Sequence, residues 1–76
     1  PAMKMTVLVN GGAAVKVAGV NAAYNHAGDI ATAMLRDPST PLGATIVVAR
    51  DGVPALTRTL VEVRACGNLI RAWELT

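Results

Sequence analysis

Alternating apolar and polar positions open the chain and predict its first two strands. Met5, Val7 and Val9 alternate with their neighbours, which is the period of a β-strand. The sequence Asn10-Gly11-Gly12 follows, a strong signal for a tight turn. Alternation then resumes over residues 13–18. We therefore expect an N-terminal β-hairpin, with one strand over Met5 to Val9 and the other over Ala13 to Ala18.

A spacing of three and four residues replaces the alternation after Gly19, as in an amphipathic helix. The apolar positions at this spacing are Val20, Tyr24, Ala27, Ala31, Met34 and Leu35. The face formed by Tyr24, Ala27, Ala31 and Met34 is expected to pack on the sheet. Gly28 weakens the middle of such a helix by about 1 kcal/mol. Asp29 could instead cap a shorter helix over residues 30–36, so both lengths stay open.

The second half of the chain reads as further strands. Residues 44–50 have a buried-strand pattern and are followed by the turn signal Asp51-Gly52. Short strands are then predicted over residues 53–57, with Pro54 at an edge, and over residues 60–63 and 69–73. The turn between the last two lies at residues 66–68. Asp37-Pro38 ends the helix before this region, because a residue preceding proline avoids helical geometry.

The order of elements predicts the fold class. A β-hairpin, one helix, and then two or three strands make an α+β domain with a mixed or antiparallel sheet covered by the helix. The 76 residues fit a single domain. Residues 1–2 precede Met3 and are expected to be a cloning remnant.

The low content of charged residues has two explanations, one of which is an interface. Charged residues are 16% of the chain, below the roughly 25% usual for globular domains. Either the many alanines account for this, or apolar surface stays exposed for a partner. The last strand carries the candidate interface residues Leu69, Arg71 and Trp73, since Trp and Arg often dominate interfaces. A homodimer or another protein is the expected partner.

Candidate chemistry is sparse, so no enzyme, metal or cofactor is predicted. Cys66 and His26 are the only residues of their types, which excludes an internal disulfide and a Cys/His zinc cluster. Cys66 is interpreted as a turn residue, although Arg64 nearby could make it a reactive thiol. A lone cysteine, with neither a secretion signal nor an apolar run long enough to cross a membrane, predicts a cytoplasmic protein.

Several segments resemble a known family. Residues 5–11, 29–35 and 46–54 are similar to the opening strand, helix and valine-rich strand of the ubiquitin-like β-grasp sulfur carriers of thiamine and molybdopterin biosynthesis. The resemblance implies a β-grasp fold and action through protein–protein contacts. Those carriers end in a Gly-Gly whose carboxylate is adenylated. This chain ends Trp73-Glu74-Leu75-Thr76, so the resemblance carries over no functional residue.

Two alternatives remain open. Small tautomerases use the amine of an N-terminal proline as a base, and Pro1 occupies that position. Their helix follows the first strand directly, whereas a turn and second strand are predicted here. The other alternative is a nucleic-acid-binding protein, for which the formal net charge of +2 is a weak signal. The favoured prediction is a non-catalytic β-grasp module that acts by binding protein.

Overall fold

One helix packs on a five-stranded sheet in the computed structural model, which describes residues 3–76. The helix is α1 (Val20–Arg36). The strands are β1 (Met5–Val9), β2 (Val15–Val17), β3 (Thr45–Arg50), β4 (Val53–Ala65) and β5 (Asn68–Leu75). They lie in the order β2-β1-β3-β4-β5, and every neighbouring pair is antiparallel. The predicted α+β class and order of elements are confirmed.

The N-terminal hairpin forms as predicted, with a second strand shorter than residues 13–18. Val7 lies opposite Val15, so the intervening loop is wider than the turn signal alone indicates. Asn10 has a positive φ of 54° and ties this loop to β3. Its backbone N–H donates to the Thr45 carbonyl at 2.8 Å, and its Oδ1 accepts from the Thr45 N–H at 2.9 Å. The turn therefore also fixes the alignment of β1 with β3.

The helix takes the longer of its two predicted extents. Gly28 and Asp29 lie inside α1, and no side chain caps its first turn. The core consists of helix alanines set against strand side chains: Ala23, Ala27 and Ala31 pack with Met5, Val7, Ile46 and Val48. Tyr24 and Met34 pack at its border, so the predicted packing face is confirmed. Alanines at successive i, i+4 positions let the helix lie close to β1 and β3.

The fourth strand is longer than predicted. Residues 53–57 and 60–63, predicted as separate segments, belong to one 13-residue strand. Arg58 and Thr59 continue it because they pair with β3 on one side and β5 on the other. The strand begins after the two-residue turn Asp51-Gly52, in which both residues have positive φ. A register shift between Val48 and Ala49 accommodates Pro54, whose outer side β5 does not reach.

The strand order bears on the expected β-grasp fold. In a β-grasp sheet the first and last strands lie side by side and parallel. Here β5 is at one edge, and β3 and β4 separate it from β1. The sheet therefore gives the β-grasp expectation no support, while the coarser α+β class stands.

The middle of α1 offers a test of the helix. A Cβ built on Gly28 meets only the Arg58 guanidinium, at an ordinary 3.9 Å. Gly28→Ala should therefore stabilise the protein by about 0.5–1 kcal/mol, because alanine loses less backbone entropy in a helix. Thermal unfolding measures this as a rise of several degrees in Tm. Gly67→Ala is the control: its φ of 80° strains any side chain, so Tm should fall. A lower Tm for Gly28→Ala would contradict the packing described.

Candidate interaction surface

The outer part of the β4–β5 hairpin projects beyond the rest of the sheet. The segment that leads into β3 pairs with β4 as far along the strand as Leu60. The Leu60 N–H donates to the Ala44 carbonyl, and its C=O accepts from the Gly43 N–H. Residues 61–72, called the arm below, pair only with each other. The arm closes through the turn Cys66-Gly67, whose φ angles are 50° and 80°. It accounts for the elongated outline of 50 × 20 × 17 Å.

The two faces of the arm differ in polarity. Partners across antiparallel strands share a face, and successive residues alternate between faces. Leu60 and Trp73 pair and face α1, so Glu62, Arg64, Leu69 and Arg71 are on that side. The opposite side carries Val61 across from Ala72 and Val63 across from Ile70. Val63 is 39% exposed and Ile70 is 45% exposed. The apolar face of the arm is thus the one that the helix does not cover.

This apolar face continues across the helix-free side of the sheet. By the same register, the half-buried residues Leu8, Val47, Thr57 and Thr59 lie on that side. Among the paired strand residues of this side, the charged ones lie on the two edge strands, Lys16 on β2 and Glu74 on β5. The helix-free face therefore combines apolar and threonine side chains over four strands without a charge in its centre.

The three predicted interface residues lie together on β5, facing α1, yet two of them are engaged internally. The Trp73 Nε1–H donates to the Ala31 carbonyl at 2.9 Å, and the indole packs at the border of the core. The Arg71 guanidinium donates to the Asp37 carbonyl at 3.2 Å and to the Thr40 carbonyl. Leu69 is 58% exposed. As side chains, Trp73 and Arg71 hold the base of the arm, and Leu69 alone of the three is free for contact.

The outer edge of β5 is a further feature that side-chain patterns did not reveal. Thr57 and Thr76 exchange backbone hydrogen bonds at 2.9 Å in both directions. In an antiparallel ladder every second residue is hydrogen-bonded to the neighbouring strand, so the even-numbered residues of β5 bond to β4, as Thr76 does to Thr57. The N–H and C=O groups of Leu69, Arg71, Trp73 and Leu75 therefore point away from the sheet. No described strand pairs with this edge.

The basic residues do not combine into one exposed surface. The register brings Arg58, Arg64 and Arg71 to the helix side of β4 and β5, a grouping hidden in the sequence. The Arg58 Nε is buried without a hydrogen-bond partner, and Arg71 is bound to backbone carbonyls. Lys4 and Lys16 lie elsewhere, beside an open cleft of about 500 Å³ between the ends of β1 and β2.

The residues considered for catalysis or metal binding, Cys66 and His26, lie on different elements of the fold. Cys66 is a free, exposed thiol in the arm turn, and His26 is exposed on the helix. Residues 3–76 contain no group of three or more Cys, His, Asp or Glu side chains able to hold a metal ion. They also contain no helix long and apolar enough to cross a membrane. Pro1, the candidate tautomerase base, lies outside the described residues.

No family model, curated protein or solved structure matches the chain. The function must therefore be argued from the surface itself.

One titrating group lies at the base of the arm. The Ser39 hydroxyl and backbone N–H both donate to Asp37 Oδ1, at 2.7 Å and 2.9 Å. These bonds, followed by the positive charge of Arg71, outweigh desolvation and hold the Asp37 pKa below its usual range. The turn after α1, whose carbonyls bind Arg71, is thus organised by an ionised Asp37.

A lowered pKa makes stability depend on pH with a defined sign. The unfolded chain binds a proton at Asp37 near pH about 3.9, before the folded protein does. The contribution of Asp37 is therefore complete above that pH and is lost as pH falls towards the folded pKa. Ser39→Ala should flatten this part of the Tm profile below pH about 4. Identical acid slopes for the two proteins would show that the Ser39 hydroxyl bond does not lower this pKa.

Replacement of Trp73 tests the tie between arm and helix. Trp73→Phe keeps an aromatic ring but removes the donor to Ala31, and should cost about 1 kcal/mol of unfolding free energy. Trp73→Ala also removes the packing and should cost about 2 kcal/mol or more. Denaturant unfolding measures both. Leu42→Ala, at an exposed loop position, is the control and should change little. An equal, small effect of all three would place Trp73 outside the stabilising core.

Proposed function

We propose that the chain is a non-catalytic module that binds another protein through the arm and the helix-free face of its sheet. One observation carries the proposal. The arm turns Val61, Val63, Ile70 and Ala72 to the side without a helix and places its charged residues on the other side. A protein partner that covers this side would bury apolar surface continuous with Val47 on the main sheet.

The energetics of the arm favour a covered state. An isolated two-stranded hairpin is at best marginally stable in water, and the outer arm has no third strand. Full burial of a Val or Ile side chain stabilises by about 1.5–3 kcal/mol relative to full exposure. Val63 and Ile70 keep about two-fifths of their surface exposed, so their burial would add roughly 1 kcal/mol each. A partner would therefore both gain affinity and order the arm.

The chemistry of the face favours a protein surface over nucleic acid. Phosphate backbones are bound by exposed Lys and Arg, with aromatic groups for stacking. The centre of the helix-free face has neither, and Trp73 lies on the opposite side of the sheet. The proposed function shares one property with the sulfur carriers that the sequence resembles, which is action through contact with another protein. It does not use the β-grasp fold, for which the strand order supplies no support.

The experiment compares two matched double variants. Val63→Thr/Ile70→Thr makes the arm polar while keeping β-branched side chains suited to strands. Val15→Thr/Val53→Thr makes the same change at two exposed positions away from the arm. Each purified protein is immobilised in equal amounts and exposed to extract of the source cells. Retained proteins are then quantified by mass spectrometry.

A partner of the arm should be retained by the original protein and by the Val15/Val53 control. The Val63/Ile70 variant should retain at least about tenfold less of it, which corresponds to about 1.4 kcal/mol of binding free energy. Circular dichroism should show that both variants keep the sheet. Equal retention by the two variants would rule out the arm as the binding surface.

A further inference from the structure

We infer that the outer edge of β5 pairs antiparallel with β5 of a second copy of this chain, with the two Ala72 residues facing each other across the twofold axis. The contact joins two five-stranded sheets into one continuous sheet. It goes beyond the proposed function, because it uses the backbone edge of β5 and not the helix-free face.

The outer edge of β5 lacks most of the features that keep edge strands unpaired. Edge strands that stay unpaired are usually short, bulged, or protected by proline or charged side chains, especially lysine. β5 has eight residues, pairs with β4 without a register shift, and contains no proline or lysine. Of its two charged residues, Arg71 is bound to backbone carbonyls and Glu74 lies near the end of the strand. The backbone groups of Leu69, Arg71, Trp73 and Leu75 point outward along it. The Arg71 side chain does not cover this edge. Its acceptors, Asp37 and Thr40, belong to the segment leading to Gly43, which bonds to β4 on the side away from β5.

Two copies of β5 are complementary to each other when they pair antiparallel about Ala72. Centring the pair on Ala72 sets Leu69 opposite Leu75 of the second copy. These side chains share a face and are 58% and 56% exposed in the single chain, so pairing buries apolar surface at both ends of the contact. The outward groups of residues 69, 71, 73 and 75 then all find partners, in about eight hydrogen bonds. Centring on Arg71 would instead set two like charges directly opposite each other, which is destabilising.

The type of contact limits the assembly to two copies and prevents an open filament. Pairing two β5 strands is an isologous contact, which consumes that edge in both copies. The remaining edge is β2, which has three residues and carries Lys16 at its centre. A short edge strand with a lysine is the usual protected form. The assembly therefore closes at two copies.

Cross-linking tests the register. In a Cys66→Asn background, which removes the free thiol and supplies Asn-Gly for the turn, Ala72→Cys should form a disulfide-linked dimer with oxidised glutathione. Facing residues of this kind have Cα atoms about 4.5 Å apart, within disulfide range. Ile70→Cys in the same background is the matched control. Its two copies would lie about 13 Å apart along the strands and should not cross-link.

A second measurement tests the edge without a new cysteine. Leu69→Pro removes an outward N–H while leaving the β4 bonds intact, a position where edge strands tolerate proline. Sedimentation equilibrium should show a dissociation constant at least about tenfold higher than that of Leu69→Val, which keeps the donor. Circular dichroism checks that the sheet is retained.

A monomer at all concentrations, or equal cross-linking of Ala72→Cys and Ile70→Cys, would overturn the inference. The inference would also be overturned if Leu69→Pro no longer bound a protein from the cell extract but still self-associated. In that case β5 would pair with a strand of another protein. None of these results affects retention of a partner through Val63 and Ile70. The two proposals therefore fail separately.

Discussion

The structure depends on one constraint: a single helix has to cover a five-stranded sheet. A helix is about 10 Å wide, and strands lie about 4.8 Å apart, so one helix shields two or three strands. α1 packs mainly on β1 and β3, and the buried alanines Ala23, Ala27 and Ala31 bring it close enough to seal a small core. The outer half of the β4–β5 hairpin lies beyond this cover. The helix therefore leaves the helix side of the arm uncovered, and the apolar side of the arm is uncovered because α1 lies on the other face of the sheet.

The base of that hairpin is secured where the helix reaches it. Trp73 bonds to a carbonyl of α1, and Arg71 bonds to the turn that follows the helix. Arg71 belongs to the arm and Trp73 directly follows it on β5, so these two side chains set the direction in which the arm leaves the sheet. The ionised Asp37 organises the turn that Arg71 contacts. A few polar contacts therefore replace the third strand that the arm lacks.

Local patterns in the sequence predicted most elements, because each is determined by near neighbours. The Asp51-Gly52 turn follows from two residues that accept positive φ, the Cys66-Gly67 turn follows from its glycine, and the helix face follows from its spacing. Strand order and the length of β4 depend on which strands pair. Arg58 and Thr59 have no apolar pattern of their own, and long-range partners keep them in the strand. The sequence singled out Leu69, Arg71 and Trp73, which all lie on β5, but the internal bonds of two of them could not be read from their residue types. Val63 and Ile70 were missed because their face is decided by the register.

That register is itself encoded, which makes the exposed apolar face a property of the fold. A slip of β5 by one residue along β4 would turn Ile70 and Ala72 towards the helix side and Arg71 to the open side, whereas β4 is held in place by its pairing with β3. The open side of the arm would then lose half of its apolar side chains. The two-residue turn prevents the slip, since Cys66 and Gly67 both hold positive φ and set Ala65 opposite Asn68. Trp73 opposes it at the other end, because its bond to Ala31 requires the indole on the helix side. Two independent constraints therefore keep apolar side chains on the side of the sheet that the helix does not cover.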